Sequence, residues 1–471
     1  MEKPTVATPS KAVLAMRAAW DLSDVLLGGT DAMRSAGQAY LPKWPAEDEK
    51  SYEERLKTAV LFPAYQRTVA TLTGKPFSKP VTIGEDVPEE LKGYCENIDL
   101  EGRNLHTFAS DVLERALGLG MSFVLVDFPV RPDGVRTQAD EQKAGLRPYA
   151  VHIHPRQVLG WKQRKHGGQW SLAQFRFMEA IEEDDGAYAA REVEQVRVLE
   201  PGKWQTHRKN DKGEWVLHEE GTTTLKYIPL AVAYGQRTGF MSARPPLLEM
   251  AHLNVAHWQS ASDQQTILHV ARVPILTVTG AQDTIGKNGD VIPWQFQVGA
   301  SAAVKLPTGA EMKFVEHEGK AIEAGAKDLK DLEERMRQAG AELLVIDNKL
   351  TATQVSAENA VGMCALQRIG ESVEDALDQV LQFMADWIKE PQGGHVELFD
   401  DYAASSLSDA ATQMIKDWVA AGLLSKEAAF KELQRRGAVS ADLVWDDVKS
   451  QIDLEGPALG IMSDPNAPNG Q

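Results

Sequence analysis

The sequence predicts an α+β fold in several domains, and three observations carry this. Residues 149–235 alternate short β-type segments with polar turns, long runs of helical periodicity flank them, and 43% of the 471 residues are hydrophobic against 25% charged. A chain of this size and composition can bury sizeable cores, which excludes global disorder.

The elements follow in order. Residues 1–50 contain one helical stretch, Lys11–Leu27, and then a polar linker with Gly28-Gly29 and Pro45, so a mobile arm is expected. From Ser51, the residues Tyr52, Leu56, Val60, Tyr65, Val69 and Leu72 recur near helical spacing, with Pro63 as a kink or break and Gly74 as the stop. Residues 104–117 read as a second helix, and Met121–Val126 as a buried strand. The β-type segments that follow have turn-rich charged tips, EEDDG and KNDKGEW, and 51–243 reads as one α+β domain.

At Pro245-Pro246 the character changes. Leu247, Ala251, Val255, Trp258 and Ser262 form the stripe of a helix that runs on toward Leu268 and stops before Pro274. Residues 274–315 return to short strands and turns, a small β-rich module. Leu329, Leu332, Met336, Ala339 and Leu343 then repeat at spacings of 3, 4, 3 and 4, a heptad-like seam. After the polar segment IDNKLTATQVS comes the longest periodic stretch, about 357–389, with Gly362 and Gly370 as expected kinks. Residues 405–455 read as three short helices, with Ser425 and Ser440 as N-caps and Gly422 and Gly437 as stops, before a Pro/Gly/Asn-rich tail.

Signatures of chemistry are sparse. Cys95 and Cys364 lie far apart with no CxxC, which excludes a disulfide scaffold or a thiolate zinc knuckle. There is no GxxxxGK[ST]; TGKPFS at Thr73 reads as a helix cap, and Gly118-Leu119-Gly120 follows a helix and precedes a strand, the reverse of a phosphate-binding order. His152 and His154 alternate on a strand without a third ligand, and His252, His257 and His269 do not share a helix face. No GxSxG elbow occurs, and the acidic runs near Glu183 and at Asp328, Asp331, Glu333 and Glu334 read as solvated faces. The expectation is a non-enzyme without metal or cofactor, soluble and unsecreted, since no signal peptide or membrane span is apparent. A formal charge of −18 argues against adhesive wrapping of nucleic acid, which needs Lys and Arg at phosphates.

The order of parts, together with YEERLKTAVLFPAYQRTVATLTGKPFSKP (52–80), ALGLGMSFVLVDFP (116–129), the segment 245–280 and LPTGAEMKFVEHEG (306–319), resembles the portal, or head-to-tail connector, proteins of tailed bacteriophages. The similarity is particularly to a portal-like family of formerly unknown function, and these motifs span about two thirds of the chain. They are packing motifs and not chemical signatures.

The resemblance implies a phage portal fold. Residues 1–50 would be an N-terminal arm, 51–243 the α/β wing, 244–272 and 319–345 stem helices, 273–318 a β-rich clip, and 346–356 a tunnel loop. The long channel helix and return to the wing would occupy 357–402, helical crown 403–456, and a disordered tail 457–471. It further implies a homo-oligomeric ring of about twelve subunits at a capsid vertex of the virion, assembled in the host cytoplasm. Double-stranded DNA would pass through it during packaging and ejection, with terminase large subunit, head-tail adaptor and major capsid or scaffolding protein as partners. The tunnel loop would present Asp347, Asn348, Lys349, Leu350, Thr351, Ala352, Thr353 and Gln354. The docking clip would present Lys287, Asn288, Asp290, Trp294 and Gln295. Two other readings compete: a different virion protein such as a head-tail adaptor or minor capsid protein, and an enzyme built on His152, His154 and Gly118–Gly120.

Overall fold

The computed structural model describes residues 4–129, 140, 143–186, 188–272, 275–280, 284–285, 290–292, 309–315, 319–344, 363–400, 402, 415–419, 421–435, 439 and 443–455. They are mixed helix and sheet and form two compact units, 1–74 with 81–398, and 75–80 with 399–471.

The first unit opens with helices α1 (Lys11–Leu27), α2 (Gly29–Ala36), α3 (Glu49–Thr58) and α4 (Ala64–Thr73). It continues through strand β1 (Thr82–Ile83), α5 (Glu89–Cys95), α6 (Leu105–Leu119), β2 (Met121–Asp127) and β3 (Tyr149–Ile153). An antiparallel meander follows: β4 (Val158–His166), β5 (Gln169–Asp184), β6 (Ala190–Glu200), β7 (Lys203–Lys209) and β8 (Trp215–Thr222). Then come β9 (Leu230–Tyr234), β10 (Gln236–Gly239), β11 (Ser242–Arg244) and helix α7 (Leu248–Ala271). The short strands β12 (Ile275–Thr279), β13 (Thr284–Ile285), β14 (Val291–Ile292) and β15 (Glu311–Val315) precede α8 (Lys320–Ala341), α9 (Ala365–Ile388) and β16 (Val396–Glu397).

The core forms around β2, the centre of a three-stranded sheet ordered β3-β2-β9. Because successive strand residues face opposite sides, Met121, Phe123 and Leu125 join one cluster with Val158, Phe175 and Phe177 of the five-stranded sheet. The alternate residues face the helical side, where the Ser122 hydroxyl and the His152 ring nitrogen Nε2 lie 2.7 Å apart. All of Met121–Val126 is buried, as the unbroken apolar run anticipates. Asn104 caps α6 by accepting from the Thr107 amide, and Gly120 ends it with φ +88°. A side chain at Gly120 would lie 2.5 Å from the Arg244–Pro245 peptide, so glycine permits both the left-handed cap and this crossing. Pro63 breaks the 51–74 helix into α3 and α4, and Gly74 caps α4.

The N-terminal residues differ from the mobile arm expected. Val13 and Trp20 of α1 are fully buried in the same cluster as Phe123 and Phe175, because the apolar stripe of α1 supplies part of the cover that the two sheets need. The polar linker is fixed as well: Arg55 reaches Glu47 at 2.7 Å and the Pro42 carbonyl at 2.8 Å, with its guanidinium 4.2 Å from the Trp44 ring centroid. Asp24 joins α1 to the turn after β3 through Arg156 at 2.6 Å and His154 at 3.2 Å. The hydrogen bond from His154 and the Arg156 guanidinium hold the Asp24 carboxyl at about 2, against an ordinary 3.8. A depressed carboxyl stabilises the fold above its unfolded pKa and loses that contribution as pH falls toward 2. Asp24→Asn is therefore expected to cost about 1–2 kcal/mol at pH 7, and the gap from wild type to close between pH 4 and 2 in urea titrations.

Helix α9 begins at Ala365, with the sequence-predicted stretch 357–362 and Gly362 outside the described residues, and runs without interruption through the buried Gly370. Its residues Glu374, Asp378 and Gln382, one turn apart, accept the backbone N–H groups of Leu398 (2.6 Å), Val396 (2.8 Å) and Gly393 (2.9 Å). The chain thus returns antiparallel along one face of α9, and β16 pairs with β1.

In the second unit, helices α10 (Lys426–Arg435) and α11 (Trp445–Glu455) meet at Phe430 and Trp445, whose ring centroids are 5.3 Å apart. The Ser425 hydroxyl accepts the Ala428 amide, the predicted N-cap, while Gly437 and Ser440 lie outside the described residues.

Candidate functional site: a helical hairpin and its β pair

Two helices joined through a β pair distinguish this chain from an ordinary α+β domain. Helices α7 and α8 run antiparallel: as partners advance along α7 they retreat along α8, His257 to Glu333, Ser260 to Asp328, Gln264 to the Ile322 carbonyl. The last two contacts are 2.8 Å hydrogen bonds. A Cβ on Gly325 would fall 2.0 Å from the Gln264 side-chain oxygen, so its absence lets the helices approach. Leu332, Met336 and Leu343 of the predicted seam are buried, so the seam packs within the subunit.

The base of the hairpin is fastened to the α+β core. Asn254 on α7 is fully buried; its amide oxygen accepts the Tyr65 N–H and its amide nitrogen donates to the Phe62 carbonyl, both at 2.9 Å. These are backbone groups freed by the break at Pro63, and Asn254 satisfies both. The far end of α8 lies on α4, where a Cβ on Gly340 would meet the Thr68 methyl at 2.9 Å. Sequence reading passed over Asn254, although a lone amide between Ala251 and Trp258 on the buried stripe is a visible signal.

The outer half of the hairpin is different. Beyond Gln264 no described residue of α7 is buried, and none of α8 is buried before Leu332. An open depression beside this half is lined by Ala261, Gln264, Gln265, Leu268, His269 and Arg272. At the tip β12 pairs antiparallel with β15, Ile275 opposite Val315, and β13 with β14. The charge of the hairpin is balanced: α8 carries five Lys or Arg and five Asp or Glu, while α7 carries only Glu249 and Asp263. The acidity of the chain is not concentrated here.

Of the predicted clip residues, Asp290 is exposed just ahead of β14, and Lys287, Asn288, Trp294 and Gln295 lie outside the described residues. All of the predicted tunnel loop, Asp347 to Gln354, also lies outside them.

The candidate ligand residues do not converge. His152 is half-buried beside Phe108, and desolvation lowers its pKa to about 3, so the ring is neutral. His154 turns away to Asp24. His252 and His269 are exposed, whereas His257 is buried against Phe62 with its Nε2 3.5 Å from Glu333, longer than a well-formed hydrogen bond. The Gly118 carbonyl is occupied by the Tyr65 hydroxyl at 2.6 Å, and Glu183 is paired with Arg208 at 2.6 Å and Arg191 at 3.1 Å. Among the described residues no group of three or more His, Cys, Asp or Glu side chains is placed to hold a metal ion. No helix among them is long and apolar enough to cross a membrane.

Residues 246–388, which span α7, the β pairs, α8 and α9, match a family described as a domain of unknown function, DUF4055. No curated protein matches the chain. Solved structures similar to it include a chain from the neck of an empty gene transfer agent particle computed with C6 symmetry, at TM-score 0.36 and 11% identity, covering 83% of this chain and 90% of that one. A chain from the virion of the native particle has the same TM-score and identity and covers 89% and 98%. A chain from the native neck computed with C12 symmetry, again at TM-score 0.36, is 13% identical and covers 86% and 99%.

Proposed function

We propose that this chain is the subunit of a bacteriophage portal ring, a conduit for double-stranded DNA at the capsid vertex. The observation that carries the reading is the α7–α8 hairpin. Its inner half is fastened to an α+β domain at Asn254 and Gly340, while its outer half, among the described residues, has only the facing helix as cover and ends in paired strands. Such a stem acquires cover when copies stand side by side around an axis, which requires a head-to-tail contact repeated to closure.

In this reading α7 and α8 are the stem, residues 273–318 form the clip that docks terminase and later the head-tail adaptor, and Asp347–Gln354 line the channel between α8 and α9. Near-neutral stem helices suit a conduit, because each phosphate neutralised by a cation adds affinity and so opposes sliding. The protein is structural, without cofactor or catalytic residues, and terminase supplies ATP hydrolysis.

Deleting Lys349–Gln354 is expected to leave ring assembly intact and to abolish packaging or retention of DNA in complemented particles. Full-length DNA in particles carrying the deletion would contradict the assignment of the loop, and loss of the ring would make the segment structural.

A further inference from the structure

Among the described residues the five-stranded sheet ends in two edges that pair with no further strand, one basic and one acidic. On β4 the exposed residues include Lys162, Arg164 and Lys165, and no carboxylate pairs with any of them among the described residues. On β8, at the far edge, Glu219 and Glu220 are exposed, Glu220 already pairing with Lys203 of β7 at 2.8 Å, and so are the apolar Val216 and Leu217, at 42% and 48%. Neither edge is explained by the wing as a free-standing body. An edge strand offers unpaired backbone N–H and C=O groups, and an apolar pair there is a liability unless something covers it.

Strand direction decides what fits. Each of the five strands is antiparallel to the next, so the first and the last run the same way. With the strands lying near the direction of the ring axis, a second copy turned about that axis keeps their direction and brings its β4 alongside β8 as a parallel neighbour. In that register the acidic second half of β8 meets the basic second half of β4, and Val216 and Leu217 lie toward Trp161. The Ser10 N–H already takes the Leu159 carbonyl at 2.7 Å, so the free edge of β4 begins where the cations do. Pairing β4 with a second β4 confronts cations with cations, and pairing β8 with a second β8 brings in no cation. Opposite charges across neighbouring strands favour the mixed pairing, and its head-to-tail character is what a closed ring needs.

We infer that β8 of one subunit adds to β4 of the next copy, joining the five-stranded sheets into a belt around the ring. The inference rests on the ring reading above and names the contact that closes the ring. It also explains why the apolar pair sits on one edge only: the occupant is the other edge of the same chain.

The test uses full-length protein with single exposed cysteines, Arg164→Cys and Glu219→Cys; the native Cys95 and Cys364 are both buried and do not compete. Mixed and oxidised, the two variants are expected to give a disulfide-linked pair of subunits, while each alone gives at least tenfold less. No mixed product, or equal crosslinking of Arg164→Cys with itself, overturns the inference. In parallel, reversing Lys162, Arg164 and Lys165 to Glu should break rings into smaller species with unchanged circular dichroism, and adding Glu219→Lys and Glu220→Lys to the same chain should restore them. Rings that persist with only one edge reversed overturn this contact and leave the ring reading standing. Wild-type protein that never assembles overturns both.

Discussion

Trp20→Ala lowers the unfolding free energy by about 3–5 kcal/mol, the cost of truncating a large side chain in a packed core. Trp20 is fully buried and belongs to one cluster with Val13, Met121, Phe123 and Phe175, so the loss is felt where α1 meets both sheets. Domains are stable by about 5–15 kcal/mol in total, and this single change removes a large share of that. Chemical denaturation with tryptophan fluorescence and circular dichroism measures it, and the two probes should shift together because α1 is part of the core. A change below about 0.5 kcal/mol, the range of ordinary surface substitutions, would restore residues 1–50 to the status of a detachable arm.

Asn254→Leu has the second large effect. The leucine fits the volume but leaves the buried Tyr65 N–H without a partner, at about 1–3 kcal/mol, while the Phe62 carbonyl keeps the Ala64 N–H at 2.8 Å. The expected loss, about 1–3 kcal/mol, falls on the joint between hairpin and α+β domain. Amide hydrogen exchange should therefore speed up in α4 and the inner half of α7 while the five-stranded sheet keeps its protection. Uniform loss across the unit would mean that Asn254 supports the whole core and not this joint.

Much of the fold was legible because local chemistry specifies it. Asn104 and Gly120 bracket α6, Pro63 divides α3 from α4, Pro245-Pro246 precede α7, and Leu332, Met336 and Leu343, at spacings of 4 and 7, mark the face of α8 and its following turn that packs. What stayed hidden depends on distant partners. The apolar residues of α1 were visible, but glycines and a proline downstream made the segment look detached, and only the sheets it covers show otherwise. The spacing of Glu374, Asp378 and Gln382 is plain on a helix, yet it reads as a solvated face until the returning backbone of 393–398 is laid against it. The candidate site was legible as an order of elements, helix, strands, helix, whereas Asn254 and the charged sheet edges required the tertiary structure to acquire meaning.

As proposed above, this chain closes into a ring around a channel. Imaging of the purified full-length protein by negative-stain electron microscopy, with particle mass measured on the same sample, tests it most directly. Closed rings are expected, with a mass that is a multiple of the 51.8 kDa subunit and a central hole that admits duplex DNA. Particles of one subunit, or compact two-fold dimers with no opening, at every concentration would contradict it.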